Sequence, residues 1–213
     1  MKRNLAISAA LAASLLAAVA QADEGLGLGV AGKASTLGYG VELGYRFSNY
    51  LAVRAGINKG SFDTTGTESG TNYNYTMTFD NVPVTLDWFV FGGTFRISGG
   101  IVSNNNKLTG MANGQLDING ILYPSGSATT ETTFAKTSTY LGIGWGGLPS
   151  VTKGFGMSFD LGVMGQGSPT TKITSTSVPV PPNDIAAEEA ALNEDLKNFK
   201  YWPVVSFGIG YTF

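Results

Sequence analysis

The last thirteen residues of the chain, YWPVVSFGIGYTF at 201–213, decide the fold. The odd-numbered positions carry Tyr, Pro, Val, Phe, Ile, Tyr and Phe, whereas the even-numbered positions carry Trp, Val, Ser, Gly, Gly and Thr. A period of two indicates a β-strand with two different faces. At membrane depth every backbone polar group must be paired within the protein, so an apolar, aromatic-rich face predicts a strand of a closed barrel.

Seven earlier segments show the same alternation and extend the prediction to the rest of the chain. They lie at residues 26–31, 37–47, 51–58, 82–90, 95–101, 141–146 and 157–163. Eight strands is an even count, as bacterial barrels of this kind require. The sequence therefore predicts an all-β fold, an eight-stranded antiparallel up-and-down transmembrane β-barrel over residues 23–213. A soluble β-sandwich or lipocalin-like barrel stays open as the alternative, although it would place polar residues outside and apolar residues inside.

The connections between these segments alternate in length. Short turns are predicted at Ser48–Asn49, Phe91–Gly93 and Gly147–Lys153, with one short outer connection at Lys33–Ser35. Long polar loops are predicted at Ser61–Asn72, Met111–Thr133 and Thr174–Asn198. Short turns at one end and long loops at the other are the outer-membrane plan, with both termini in the periplasm. Within the second loop, Leu116–Tyr123 predicts a hairpin that turns at Asn119-Gly120.

The first 22 residues predict export. Lys2 and Arg3 precede an apolar run from Leu5 to Ala20, and Ala20-Gln21-Ala22 offers small residues at a signal-peptidase site. We expect a signal peptide over residues 1–22, cleaved after Ala22, and an outer-membrane location for the remaining 191 residues. A transmembrane anchor is the alternative, but the run is short for a bilayer span.

The composition excludes several classes of function. Removing the signal peptide lowers the basic residues from 13 to 11 and leaves 15 acidic ones, a net charge of about −4 that argues against a nucleic-acid partner. The chain has no cysteine and no histidine. Enzymes among small outer-membrane barrels use histidine as a base that titrates near neutrality. We therefore expect no enzymatic activity, no catalytic residue, no cofactor and no metal site.

Six charged residues fall on the inward face of the predicted barrel. They are Glu42, Arg46, Arg54, Asp87, Arg96 and Asp160. An ionised side chain that faces lipid near the bilayer midplane costs about 2–4 kcal/mol for Arg, so the lumen is where these charges belong. Arg54, Asp87 and Arg96 lie on three consecutive strands, so they are expected to make contact. The set predicts either a salt-bridged core that fills a narrow lumen or a polar path for small charged solutes, and a wide pore is excluded for eight strands.

The segment Asp184–Asn198 breaks the β pattern and predicts a short helix in the last outer loop. Asn183 is a suitable cap, and Ala and Leu favour a helix. The helix would present Asp184, Glu188, Glu189, Glu194 and Asp195 at the barrel mouth against a single Lys197. Such an acidic group would concentrate cations. The alternatives are a solvated surface helix or carboxylates bridged by divalent ions to lipopolysaccharide.

Two features resemble known proteins. A terminal Phe on an alternating strand resembles the recognition signal of the barrel-assembly machinery, so Phe213 is the predicted assembly signal. Thr139–Gly146, Phe159–Pro169 and the run from Glu188 into Tyr201–Val204 resemble the CarO-type family of outer-membrane barrels and its proteobacterial relatives. The resemblance covers residues 136–213 and, more weakly, 38–60. It implies a monomeric eight-stranded barrel, linked in some members to uptake of ornithine and other basic amino acids, with Asp160 and Gly162 as motif positions.

Two functions are compatible with these features. The first is a small outer-membrane channel or uptake protein for small, cationic amino-acid-like solutes. The alternative is a non-conducting structural or adhesive surface barrel whose outer loops bind a partner. Membrane lipid, lipopolysaccharide, the barrel-assembly machinery and small solutes are the expected partners.

Overall fold

The computed structural model describes residues 27–68 and 70–213. The predicted signal peptide and Leu26 lie outside the described residues. Eleven strands occur in the described part of the chain: β1 (Leu28–Ser35), β2 (Gly38–Arg46), β3 (Leu51–Glu68), β4 (Thr71–Phe89), β5 (Arg96–Asn104), β6 (Lys107–Ile118), β7 (Ile121–Thr133), β8 (Thr137–Gly146), β9 (Gly154–Gly165), β10 (Thr170–Thr176) and β11 (Tyr201–Thr212). One helix, α1 (Pro182–Leu196), precedes β11, and a 3-10 turn spans Val90–Gly92.

Eight of these strands pair in a closed ring. The antiparallel pairings run from β1 through β2, β3, β4, β5, β8, β9 and β11 and return to β1. The alternating residues point as the sequence predicts, with apolar side chains such as Leu43, Leu141 and Phe207 exposed on the outside of the ring. The predicted all-β antiparallel architecture with one short helix is therefore confirmed. The predicted count of eight strands is not, because the whole sheet has eleven.

The additional strands form an outer sheet beyond one end of the ring. Strand β4 pairs with β5 over Asn81–Phe89 and with β6 over Thr71–Thr78, so the sheet branches there. The outer sheet comprises residues 60–68 of β3, residues 71–79 of β4, and β6, β7 and β10. The predicted loops at Ser61–Asn72 and Met111–Thr133 were therefore wrong. Their Thr-rich and Asn-rich sequence lacks the long outward apolar face of the ring strands, although Leu116 and Ile118 of β6 are buried.

The first outer connection is a two-residue turn at Thr36 and Leu37, rather than the predicted Lys33–Ser35. Both Lys33 and Ser35 continue β1 with their side chains on the same side as Ala31. Gly38 follows the turn at φ 98°, a conformation that side chains other than glycine rarely adopt. Leu37, predicted to lie on the outward face of the second strand, is instead buried inside the ring.

The hairpin turn at Asn119-Gly120 is confirmed. Ile118 pairs with Ile121, and Asn119 and Gly120 both have positive φ, as a type I′ hairpin requires. This turn is the tip of β6 and β7, and it contacts helix α1 through Asn119.

Helix α1 begins at Pro182 and ends at Leu196, two residues earlier at each end than predicted. Proline is well suited to the first helical position because that position needs no N–H. Pro181 is the N-cap residue and no side chain caps the helix, so the predicted cap at Asn183 was wrong. None of the helices among the described residues is both long and apolar enough to cross a bilayer.

Candidate functional site: the lumen and the outer cup

A network of six charged side chains crosses the middle of the ring. We call it the charge network, and its members are Lys33, Glu42, Arg54, Asp87, Arg96 and Asp160. They come from six strands, β1, β2, β3, β4, β5 and β9, and each lies on the face of its strand that points inward. The period of two places them there, since one step along any of these strands would turn the charge toward lipid.

Arg54 is the centre of the charge network. Its Nη1 lies 3.1 Å from Oε1 of Glu42, and its Nη2 lies 3.0 Å from Oδ1 of Asp87 and 3.3 Å from Oδ1 of Asp160. Its Nε also donates to Asp87. A planar guanidinium with several donors suits this arrangement, because one side chain can serve three carboxylates in fixed directions.

Arg96 and Lys33 complete the network on either side of Asp160. Nη2 of Arg96 lies 2.5 Å from Oδ1 of Asp160, and Nε of Arg96 lies 3.8 Å from Oδ2 of Asp87. Lys33 reaches Oε2 of Glu42 at 3.0 Å and Oδ2 of Asp160 at 3.4 Å. Asp160 therefore contacts three cations, and Ser206 donates to it as well.

The charge network is electrically balanced, with three cations and three carboxylates. Its side chains are almost wholly buried, from 0% exposed in Asp87 and Arg96 to 12% in Lys33. Removing one partner from such a buried set leaves an uncompensated charge, which costs more than the pair itself contributes. The balance of charges therefore favours a single arrangement of these six side chains, and this arrangement fills the lumen.

One predicted inward charge, Arg46, lies outside the charge network, and the structure adds Lys33, which was missed. Arg46 points to the end of the ring that carries the short turns, where it donates to the carbonyl of Asn49 at 2.6 Å and lies 3.6 Å from the Phe89 ring centroid. Lys33 was missed because it was assigned to a turn. The continued alternation from Ala31 through Lys33 was the signal that could have identified it.

Glycines make the room that the charge network and its neighbours need. A Cβ at Gly144 would lie 2.6 Å from Oδ1 of Asp160 and 2.9 Å from Nε of Arg96. Gly142 and Gly162 lie directly against the ring of Tyr140, with a Cβ at Gly142 only 2.4 Å from its hydroxyl. The glycine-rich strands β8 and β9 thus form the wall on which the large inward side chains lie.

An apolar layer closes the ring on the outer side of the charge network. The layer consists of Leu37, Met77, Phe79, Val102, Phe134, Met164 and Val204, with Leu108, Tyr140 and Trp202 packed against it. Between the layer and the network is a lumen cavity of about 40 Å³, lined by Leu37, Val102 and Val204 on one side and by Glu42 and Arg54 on the other. Sequence reasoning missed this layer, because valine and methionine on the inward face look like any other strand residue.

The opposite end of the ring is filled by a turn. Leu148 and Pro149 connect β8 to β9 and are both buried. A Cβ at Gly44 would lie 2.9 Å from Pro149, and a Cβ at Gly156 would lie 3.2 Å from Leu148. Ser150 is held in place because its backbone N–H donates to the Thr212 hydroxyl at 3.1 Å. The ring is therefore occupied at three successive levels along its axis.

The predicted acidic residues of α1 are mostly used as hydrogen-bond acceptors. Glu188 accepts from the backbone N–H of Asn119 at 2.9 Å, and Asp184 accepts from the Asn119 side chain at 2.9 Å. Glu189 accepts from the backbone N–H of Ile173 at 2.8 Å. Glu194 pairs with Lys197. Within the described ranges, no three acidic side chains are grouped as a metal site.

Asn193 is a residue that the sequence did not reveal as important. Strand β10 pairs with β7 on one side only, so its other edge would expose backbone groups. The Asn193 side chain accepts from the Thr171 N–H at 2.7 Å and donates to the Thr171 carbonyl at 3.0 Å, as a neighbouring strand would. With Glu189 on Ile173, helix α1 thereby covers the free edge of the outer sheet.

The outer sheet and α1 together form a feature that we call the outer cup. It encloses an outer cavity of about 490 Å³. The cavity is lined by both tyrosines of β4, by β6, β7 and β10, and by Glu188, Leu192, Asp195 and Leu196 of α1. Leu108 lines this cavity and also packs against the apolar layer, so the outer cup stands directly above the lumen.

Comparison with known proteins bears on the fold. No protein-family model matches the chain, and no curated protein matches it in sequence. Two crystal structures from Acinetobacter baumannii are similar, and 87% of this chain is covered in each. CarO has a TM-score of 0.59 at 20% identity with 97% of its chain covered, and CarO2 has 0.62 at 18% with 98% covered.

At this identity the likeness concerns the fold alone. It is nevertheless independent of the motifs quoted above, because it compares the path of the backbone over most of both chains. The resemblance to CarO-type barrels inferred from residues 136–213 is therefore confirmed at that level, and the protein has the fold of the CarO outer-membrane barrels.

Proposed function

We propose that this protein is an outer-membrane barrel whose lumen is closed to free diffusion and which acts through its outer cup. One observation carries the proposal: the ring is occupied at three successive levels, by the apolar layer, the charge network and the Leu148-Pro149 turn. The lumen cavity between the first two levels has room for a few water molecules at most.

The charge network makes diffusion unfavourable. A solute that passes Arg54 must separate it from three carboxylates at once. Breaking a buried, balanced set of charges typically costs about 3–5 kcal/mol unless the solute replaces every contact. A salt-bridged core was one of the two readings of these residues, and the short distances favour it over an open polar path.

The exposed outer face supports an outer-membrane location. Large apolar side chains such as Leu141, Met157 and Ile209 are exposed on the ring, while the charges face inward. In water such a surface would cause aggregation, whereas lipid solvates it. Lipopolysaccharide and the assembly machinery follow from this location as proposed partners, and Phe213 as the proposed assembly signal.

Conductance in planar bilayers tests the closed lumen. We expect purified, folded protein to insert without a steady conductance, while an open porin in the same membranes conducts. One variant of the protein has residues 107–133 replaced by a short turn. Because Ser103 of β5 already pairs with Thr137 of β8, the ring should fold without the outer sheet strands and stay closed. A steady ohmic conductance of the wild-type protein would overturn the proposal.

Gated uptake of small solutes is a second candidate, and one observation favours it. The apolar layer lies between the two cavities, because Leu108 lines the outer cavity and packs against the layer, while Val102 and Val204 of the layer line the lumen cavity. This candidate predicts that liposomes containing the wild-type protein swell slowly in lysine or ornithine, and that Phe79→Ala speeds the swelling. No flux through either protein would rule it out, and conductance in the variant without residues 107–133 would identify the outer cup as the gate.

A further inference from the structure

The outer cavity has the size and walls of a small-molecule site. Its volume of about 490 Å³ lies within the usual range of about 300–1,000 Å³ for ligand pockets. Leu108, Met111, Leu116, Ile173 and Leu192 supply apolar walls. The rings of Tyr73 and Tyr75 add a flat surface, because they are nearly parallel, with an interplanar angle of 3° and centroids 6.2 Å apart.

The charges around the outer cavity have one sign. Glu188 and Asp195 of α1 line it, and no lysine or arginine among the described residues does so. Asp117 alternates with the buried Leu116 and Ile118, so its carboxylate lies on the exposed face of β6. Of the nearby lysines, Lys107 pairs with Glu131 and Lys197 pairs with Glu194. Lys172 lies on the face of β10 opposite to Thr171 and Ile173, which line the cavity. Two carboxylates over apolar and aromatic walls therefore give a negative potential at the pocket.

Asp195 differs from the other carboxylate of the outer cavity in having no partner among the described residues. Within the described chain, no hydrogen bond or ion pair engages its side chain, whereas Glu188 already accepts from Asn119. It lies in the last turn of α1, where the carbonyl ends of the helix are negative and an acidic side chain is unfavourable. A bound cation at this position would be attracted by the carboxylate and by the helix end together.

We propose that the outer cavity binds an organic cation with an apolar or aromatic body, and that it discriminates against molecules that also carry a carboxylate. The ammonium lies at Asp195, and the body lies on the tyrosine rings and the leucine walls. An amino acid would bring its carboxylate into the same negative pocket, so it binds more weakly than the corresponding amine. The inference rests on the outer cup being the functional surface, but not on the lumen being closed.

Three matched probes test the proposal: phenethylamine, L-phenylalanine and 2-phenylethanol. Phenylalanine adds a carboxylate to the amine, and phenylethanol replaces the ammonium by a hydroxyl. Titration calorimetry with the full barrel in nanodiscs gives the affinities, and empty nanodiscs correct for partition into lipid. We expect phenethylamine to bind about two- to fivefold more tightly than either of the others, the ratio that one partly exposed charge contact provides.

Single substitutions test whether the ammonium binds at Asp195. Asp195→Asn should weaken phenethylamine binding about two- to fivefold and leave phenylethanol unchanged, because only the charge contact is lost. Glu194→Gln is the matched control, since Glu194 neighbours Asp195 but pairs with Lys197 outside the cavity. Asp117→Asn is a second control, because this carboxylate lies on the exposed face of β6.

Two results would overturn the proposal. One is equal affinity for phenethylamine and phenylalanine, and the other is unchanged phenethylamine binding in the Asp195→Asn variant. These outcomes are independent of bilayer conductance, so failure of the pocket and failure of the closed lumen can be distinguished.

Discussion

The ring interior and the outer cup both contain carboxylates, and they use them differently. Inside the ring, Glu42, Asp87 and Asp160 are matched by three cations and exclude water. In the outer cup, Glu188 and Glu189 accept hydrogen bonds from backbone N–H groups, and Asp195 stands without a counter-charge. The difference follows from the solvent, because a charge imbalance that water and ions screen in the cup would be costly in the ring.

The outer surfaces of the ring and of the outer cup also differ, in the polarity of their exposed side chains. The ring exposes large aliphatic and aromatic side chains on every strand except β1, whereas the outer strands β6 and β7 carry mostly Thr, Ser, Asn and Gly, with Met111, Ile121 and Leu122 as exposed apolar residues. The chain thus forms two regions that lie in different environments, and strands β3 and β4 run continuously through both. Four substitutions, each with a matched control, test how far this division holds.

The largest effect is expected from Arg54→Met. The substitution leaves Glu42, Asp87 and Asp160 with one cation fewer in a buried site, so the free energy of unfolding should fall by about 3–5 kcal/mol. Urea titration of the protein in lipid vesicles measures it. Lys59→Met is the control, because the Lys59–Asp80 pair at 3.5 Å is exposed and contributes less than about 1 kcal/mol. Equal losses in both variants would mean that water reaches the charge network.

A lysine placed on each outer surface comes next. Leu141 and Leu122 are exposed to a similar extent, 67% and 61%, but Leu141 lies at the middle of ring strand β8 and Leu122 near the tip of the outer sheet. Leu141→Lys should cost about 2–4 kcal/mol in vesicles, because it puts a charge into lipid, whereas Leu122→Lys should cost almost nothing. Similar unfolding free energies for the two variants would contradict the assignment of the ring to the membrane.

Gly144→Ala probes the packing of the ring interior. The added methyl group would lie 2.6 Å from Asp160 and 2.9 Å from Arg96, so overpacking should lower the free energy of unfolding by about 1–3 kcal/mol. Gly99→Ala on neighbouring strand β5 is the control, since a Cβ there meets nothing within 4 Å. The same urea titration compares them. A tolerated Gly144→Ala would show that the charge network shifts easily, which favours gated uptake.

The smallest effect is expected from Asn193→Ala in the outer cup. The variant loses the contacts to the N–H and the carbonyl of Thr171, so local opening of β10 should become about 1 kcal/mol easier. Hydrogen exchange at the Thr171 amide measures it, and the unfolding free energy of the ring should not change. Glu194→Ala is the control on the same helix. Destabilisation of the ring by Asn193→Ala would show that the two regions unfold as one unit.

The ring strands were predictable because lipid on one side and a packed lumen on the other impose a strict period of two. The alternation at 201–213 shows it, as does the exclusion of charge from the outward face. The outer sheet was not predictable in the same way. Strands β6 and β7 have no lipid-facing side, so their Thr-rich sequence looks like a loop although it pairs over its whole length.

The inward charges were predictable as a set, but their partners were not. A strand pattern shows which face Arg54 occupies, but its contact with Asp160 depends on how eight strands are staggered around the ring. Arg46 shares the inward face and still lies outside the network, because its depth along the axis differs. The composition of α1 predicted the helix, whereas the carboxylates' partners on β6 and β10 depend on the tertiary structure.

The span of the charge network along the chain has a consequence for how the barrel folds. Arg54 and Asp160 are 106 residues apart, and Lys33 and Asp160 are 127 apart, so neither contact is available to a growing hairpin. Such long-range contacts form late and slow the folding of β proteins. Until the ring closes, Asp160 lacks Lys33 and Arg54, and it gains both cations when β1 meets β11. Closure of the ring is therefore the step that we expect to be cooperative, with half-closed intermediates scarcely populated.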